Sequence, residues 1–97
     1  MIGPGQFSFL YNRVSILANA PAASGVYALY NPQSWIYVGE GKDIRARLLD
    51  HLNGDSACLT QVNPTGFQFE LCPADRRVAR QDELIVALSP ACNQRLG

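Results

Sequence analysis

Apolar and polar positions change their period several times along the chain, and each change predicts an element. The run GVYALY at 25–30 alternates and reads as a strand. NPQS at 31–34 has the composition of a turn. Residues 35–39 then form a second strand in which Ile36 and Val38 alternate with Tyr37. So short a connection predicts an antiparallel hairpin. From Asp43, a good N-cap, the positions Ile44, Leu48, Leu49 and Leu52 recur at helical spacing, and Asn53-Gly54 closes that helix. FQFELC at 67–72 alternates as a third strand. A last helix starts at Pro73-Ala74-Asp75 and runs to about Leu88, where Ser89-Pro90 stop it. Two weaker signals remain. Asn12 can cap a short helix through Val14, Leu17 and Ala18, ended by Pro21, and residues 57–61 can hold one helical turn.

The predicted order is helix, strand, strand, helix, strand, helix. A small three-stranded sheet with helices packed on its faces buries those apolar stripes most simply, an α/β (α+β) architecture. The hairpin makes one pair antiparallel, and the pattern leaves the third strand's neighbour open.

Ninety-seven residues bound this to one domain over 1–97 with a modest core. Eight basic residues balance eight acidic ones, which argues against tight non-specific nucleic-acid binding by charge alone. Cys58, Cys72 and Cys92 contain no Cys-x-x-Cys pair, and His51 is the lone histidine, so a zinc site is not expected. Three buried thiols in a reducing compartment are expected instead. The N-terminal residues MIGPGQFSFLYNR do not read as a secretory signal, and no apolar run is long enough to span a bilayer. The expected location is cytoplasmic, with no membrane contact.

Tyr27 and Tyr37 lie on paired strands, each two residues from a glycine, Gly25 and Gly39. Strand aromatics are most often packing residues, but this pair is flanked by positions that admit close approach. Arg47 and His51 are four apart and share a helix face, whereas Arg45 points elsewhere. A guanidinium matches phosphate oxygens and an imidazole titrates near neutrality, so the two can hold a phosphate and move a proton. Glu83 sits mid-helix between Ala79 and Ala87, with room for a hydrated metal, although the apolar stripe Val78, Ile85, Leu88 projects away from it. Gly39-Glu40-Gly41 lacks the remaining residues of the dinucleotide fingerprint and of the P-loop, so no nucleotide cofactor is expected.

Taken together, GVY at 25–27, YVG at 37–39, Arg47 in GKDIRARL, His51, Glu83 in QDELI and Asn93 in SPACN resemble the GIY-YIG nuclease family in order and spacing, over a core of about 21–94. The resemblance implies a three-stranded antiparallel sheet flanked by helices, and a DNA endonuclease that uses one divalent metal, Mg²⁺ or Mn²⁺. It implies that Glu83 ligates the metal and Arg47 grips the scissile phosphate. One of Tyr27 and Tyr37 would deprotonate or orient the attacking water, and His51 would accept the proton onward. Asn93 would hold the carboxylate end of the site, while Lys42 and Gly39 would lie against substrate. Glu40 stands where the family's repair enzymes carry lysine, and a carboxylate there weakens phosphate binding unless it points away or helps hold the metal. The alternative is a catalytically weak or inactive module of the same fold that binds nucleic acid or protein. A homodimer or a partner protein would help so small a domain grasp both DNA strands.

Overall fold

The computed structural model describes residues 1–93. The last four positions of the domain expected over 1–97, and with them the end of the core expected to reach 94, lie outside the described residues. Four strands and four helices follow in the order β1 (Phe9–Leu10), α1 (Arg13–Asn19), β2 (Gly25–Tyr30), β3 (Trp35–Gly41), α2 (Ile44–Leu52), α3 (Ala57–Val62), β4 (Gly66–Leu71) and α4 (Arg77–Leu88). Short 3-10 turns precede and follow α4 at Ala74–Arg76 and Ala91–Asn93.

The α+β class and the antiparallel sheet are as expected, with one strand more than the pattern predicted. All pairings are antiparallel in the order β1-β4-β2-β3. The added strand, β1, has only two residues, pairing Phe9 with Phe67 and Leu10 with Gly66, too few to display an alternation. The strand whose neighbour was open, β4, pairs with β2 and makes β2 central.

The helix starts follow their caps. The Asn12, Asp43 and Ser56 side chains accept from the backbone N–H groups of Ser15, Ala46 and Leu59. By contrast, α4 begins at Arg77 with no side-chain cap, and the residues expected to open it form the preceding 3-10 turn.

Strand alternation divides the interior between two faces of the sheet. Tyr27, Leu29 and Phe67 face a cluster closed by Ile16 of α1, Ile44 and Leu48 of α2 and Leu59 of α3. Val26, Ala28 and Val38 face the other way, against Ile2 and Leu84 of α4. Between Leu29↔Tyr37 and Tyr30↔Trp35 the register shifts, so Ile36 has no partner on β2 and is buried in the first cluster. The exposed edge of β3 is blunted by Asn93. Its Nδ2 donates to the Val38 carbonyl at 2.9 Å, and its Oδ1 accepts from the Val38 N–H at 2.6 Å.

The expectation of three free thiols is corrected. Cys58 on α3 and Cys92 in the final turn form a disulfide with their Cα atoms 5.9 Å apart, leaving Cys72 as the free cysteine. The final turn wraps round the β3 edge and brings the two sulfurs together, a proximity that a spacing of 34 residues cannot reveal. Unfolded protein kept free of reductant should show one titratable thiol, and three after reduction. Closing a loop of that length corresponds to about 4 kcal/mol, so reduction or Cys58→Ser should lower the unfolding free energy by up to that amount. Three thiols before reduction would show that the bond does not form.

Candidate functional site

Tyr27 projects from β2 into the cluster beneath α2, and no part of the residue reaches solvent. Its partner across the hairpin is Gly39. A Cβ at position 39 would overlap the Tyr27 phenol and come within 2.9 Å of the Tyr37 ring. The glycine therefore makes room for an internal phenol. Gly39 is itself buried, with the Tyr27 phenol packed in the space a side chain would need.

The buried hydroxyl of Tyr27 needs a partner, and α2 supplies it. Tyr27 Oη lies 2.6 Å from His51 Nε2, and His51 Nδ1 lies 2.8 Å from Asp55 Oδ1. Tyr37, partly exposed on β3, sets its ring centroid 5.2 Å from that of His51 and 6.2 Å from that of Tyr27. Arg47 stands one turn before His51. A Cβ at Gly41 would press to 2.8 Å on Arg47 Cγ, so the bare glycine lets the arginine stem lie over the strand. The guanidinium is 3.6 Å from Asp50 and 4.0 Å from Asp55, with its side chain 41% exposed. Two phenols, an imidazole and a guanidinium thus share one place, reachable from solvent through Arg47 and Tyr37.

Burial pushes the Tyr27 phenol well above the usual tyrosine range, and negative charge on Tyr37 would add to this, while the Arg47 guanidinium opposes it. Reciprocally, Tyr27 is the largest influence raising Arg47. Tyr11 borders His51 in a cavity of about 250 Å³, and its buried hydroxyl has no hydrogen-bond partner among the described residues. Desolvation first, then Asp55, raises it to about 12.

Glu83 is not brought to this place. It belongs to α4, which covers the opposite face of the sheet, and its side chain is 65% exposed and 3.6 Å from Arg80. Arg80 in turn holds Glu70 of β4 through two hydrogen bonds of 2.8 and 3.0 Å, so Glu83 leans toward β4, two strands away from β3. The side of α4 that leans toward β3 is marked by Arg77, which donates to Glu40 of β3 at 2.8 Å. One turn on, that line carries Gln81, an amide, followed by the inward residues Leu84, Ile85 and Leu88. Val78, expected on the apolar stripe, is 58% exposed instead. Among the described residues no three His, Cys, Asp or Glu side chains gather into a metal site.

The remaining expected residues divide. Lys42 is exposed in the short link between β3 and α2. Glu40 points away from the phenols, into its pair with Arg77. Arg45 leaves the shared face and donates to the Ala20 carbonyl at 2.9 Å. Asn93 fastens the β3 backbone beside Tyr37 and Gly39, and among the described residues both of its side-chain hydrogen bonds go to Val38. Asp55 was not singled out by the sequence. Its only signal is a spacing of four from His51 across the helix end at Asn53-Gly54, where helical periodicity no longer applies.

Residues 23–83 match the family model described as the GIY-YIG catalytic domain. None of the curated proteins matches the chain. Several solved structures match, among them the GIY-YIG N-terminal endonuclease domain of UvrC from Thermotoga maritima. Its magnesium-bound form aligns with a TM-score of 0.71 and 26% identity, covering 84% of this chain and 94% of that one. Two point mutants of the same domain, each bound to its catalytic divalent cation, align with TM-scores of 0.73 and 0.70. Their identities are 24% and 25%, with coverage of 86% and 82% of this chain and 94% and 91% of theirs.

Both buried phenols hold their protons more tightly in the folded protein than in the unfolded chain, where tyrosine titrates near 10.0. Their contribution to stability is complete below that value and is lost as pH rises from it through the folded-state values. Urea unfolding should give a level stability to about pH 9 and a fall by about pH 11, with a shallower fall in Tyr27→Phe. An unchanged slope in that variant would show that another group titrates.

Proposed function

The chain belongs to the GIY-YIG family, and we propose on that basis that it is a DNA endonuclease hydrolysing phosphodiester bonds with water as the nucleophile. The observation that carries this reading is the convergence of Tyr27, Tyr37, His51 and Arg47 on one solvent-reachable place. Arg47 would grip a phosphate through its planar fork and offset charge in the transition state. Of the two phenols, Tyr37 has the exposure to meet the attacking water, whereas Tyr27 is buried whole and would act from beneath, through His51 and Arg47. Lys42 would draw the backbone toward the site. A cytoplasmic location belongs to the same reading, in which the Cys58–Cys92 bond would have to persist against a reducing pool. A homodimer or partner protein would supply the grip on a second strand. Among the described residues no helix is long and apolar enough to cross a membrane.

The magnesium-bound and other cation-bound relatives make a divalent-metal requirement part of the proposal. Glu83 does not fit as the ligand of an ion shared with Arg47 and the phenols, because it stands across the sheet in an ion pair with Arg80. The carboxylate beside the phenols, Asp55, is engaged by His51 and approached by Arg47.

That misfit favours a second reading, a domain of the same fold that binds DNA with little or no cleavage. Supercoiled, branched and single-stranded DNA incubated with Mg²⁺, Mn²⁺ or EDTA separates the two. The endonuclease reading expects cleavage that Arg47→Ala lowers by about 100-fold or more and that Glu83→Ala changes little. Loss in Glu83→Ala equal to that in Arg47→Ala would mean that this carboxylate reaches the site in the working protein. Binding without cleavage supports the second reading. In that case Gln81→Glu, which sets a carboxylate on the β3-leaning side of α4, should raise Mg²⁺-dependent cleavage.

A further inference from the structure

The unassigned group closest to the chemistry is Asp55. It follows α2 on the turn made by Asn53 and Gly54, and its side chain is 37% exposed, so nothing in the core requires an acid there. Its Oδ1 nonetheless lies 2.8 Å from the Nδ1 of a histidine whose own side chain is 3% exposed. An ionised carboxylate has only lone pairs to offer, so the hydrogen of that bond belongs to the imidazole. A neutral imidazole carries one such hydrogen. With Nδ1 protonated, Nε2 is bare, and the 2.6 Å contact with Tyr27 must take its hydrogen from the phenol. The Tyr27 oxygen then turns its lone pairs away from His51, and the guanidinium of Arg47 is the cation that approaches it.

We propose that Asp55 is a positioning residue, whose carboxylate holds His51 as the Nδ1–H tautomer and thereby directs Tyr27 to donate to His51 and to receive Arg47. The hydrogen-bonded line runs from solvent at Asp55 through the buried imidazole to the phenol, and the partly exposed Arg47 acts on that phenol by its charge. Arg47 is also drawn by Asp55 directly, at 4.0 Å, so one carboxylate acts on both ends. Among the described residues no other side chain hydrogen-bonds the imidazole, although Thr60 and Asn63 border the same cavity, Thr60 donating instead to the Ser56 carbonyl. Tyr37 meets the imidazole edge-on from β3, and Tyr11 borders it from the segment before α1 without a hydrogen bond to it. Asp50 faces Arg47. This inference rests on the proposed function for its bearing on cleavage, and on the geometry of Asp55, His51 and Tyr27 for the tautomer.

A single histidine makes the test unambiguous. Long-range ¹H–¹⁵N correlation spectra at neutral pH should show one protonated and one bare ring nitrogen, with the bare nitrogen assigned to Nε2. In Asp55→Ala, and less completely in Asp55→Asn, the signal should move toward the Nε2–H form while the rest of the spectrum stays folded. Where the wild-type protein cleaves DNA, both variants should lower the rate by about tenfold or more, with the substrate concentration at half-saturation also rising as Arg47 loosens. Protonated Nε2 in the wild type, with or without a proton on Nδ1, overturns the inference whatever the cleavage assay gives. So does a tautomer indifferent to both substitutions. If the wild type does not cleave at all, the endonuclease reading fails by itself. The spectra, together with DNA binding by Arg47→Ala and Asp55→Ala, then decide the positioning role.

Discussion

A whole tyrosine is buried at the centre of this small sheet, and its hydroxyl has to be satisfied there. An unpaired buried hydroxyl costs about 1–3 kcal/mol, a large fraction of what a domain of this size has in reserve. The Tyr27 bond to His51 meets that need and imposes conditions on its surroundings. Position 39 can carry no side chain, because the phenol occupies the space where one would stand. Helix α2 must sit with His51 turned inward, which carries Arg47 round to the same side one turn earlier. The active-looking cluster is in this sense a consequence of how the core is closed, with its solvent-facing members anchored to a member that solvent never reaches.

The two faces of the sheet use their charges differently. On the α2 face, Arg47 is partly exposed between Asp50 and Asp55, its fork not closed by a bidentate pair. On the α4 face, Arg77 is bound to Glu40 and Arg80 to Glu70 in close pairs. The Glu70 carboxyl is held below the usual range, chiefly by its hydrogen bonds from Arg80. Exact charge balance in the chain thus conceals an uneven distribution. The pairing also keeps Glu40 away from the phenols, since strand alternation turns it to the face that Arg77 covers.

The edge of β3 receives comparable attention from the fold. Asn93 gives Val38 a donor and an acceptor in the geometry a neighbouring strand would use, and the disulfide at Cys92 ties that turn to α3. Tyr37, Gly39 and Gly41 all lie on this strand. Fixing its backbone from outside steadies the side of the site that solvent can reach, so the Asn93 near the chain's end contributes by holding a strand in place.

Local patterns in the sequence carried the hairpin, the α2 helix with its Asp43 cap, and the shared face of Arg47 and His51. Each depends on spacings within one or two turns, where period and capping chemistry act directly. The family resemblance likewise rested on residue types in order. The sequence could not reveal which side of a packed helix faces which strand. Glu83 is one residue from the inward-facing Leu84, and that single step, roughly 100° around a helix, carries it to solvent beside Arg80. Nor could it reveal Asp55 beside His51 or Cys58 beside Cys92, because a helix end and a turn around a sheet edge set those distances. Short-range periodicity therefore determined the elements and most of the cluster, while the relative placement of α2, α4 and the final turn on the sheet decided which acids belong to it.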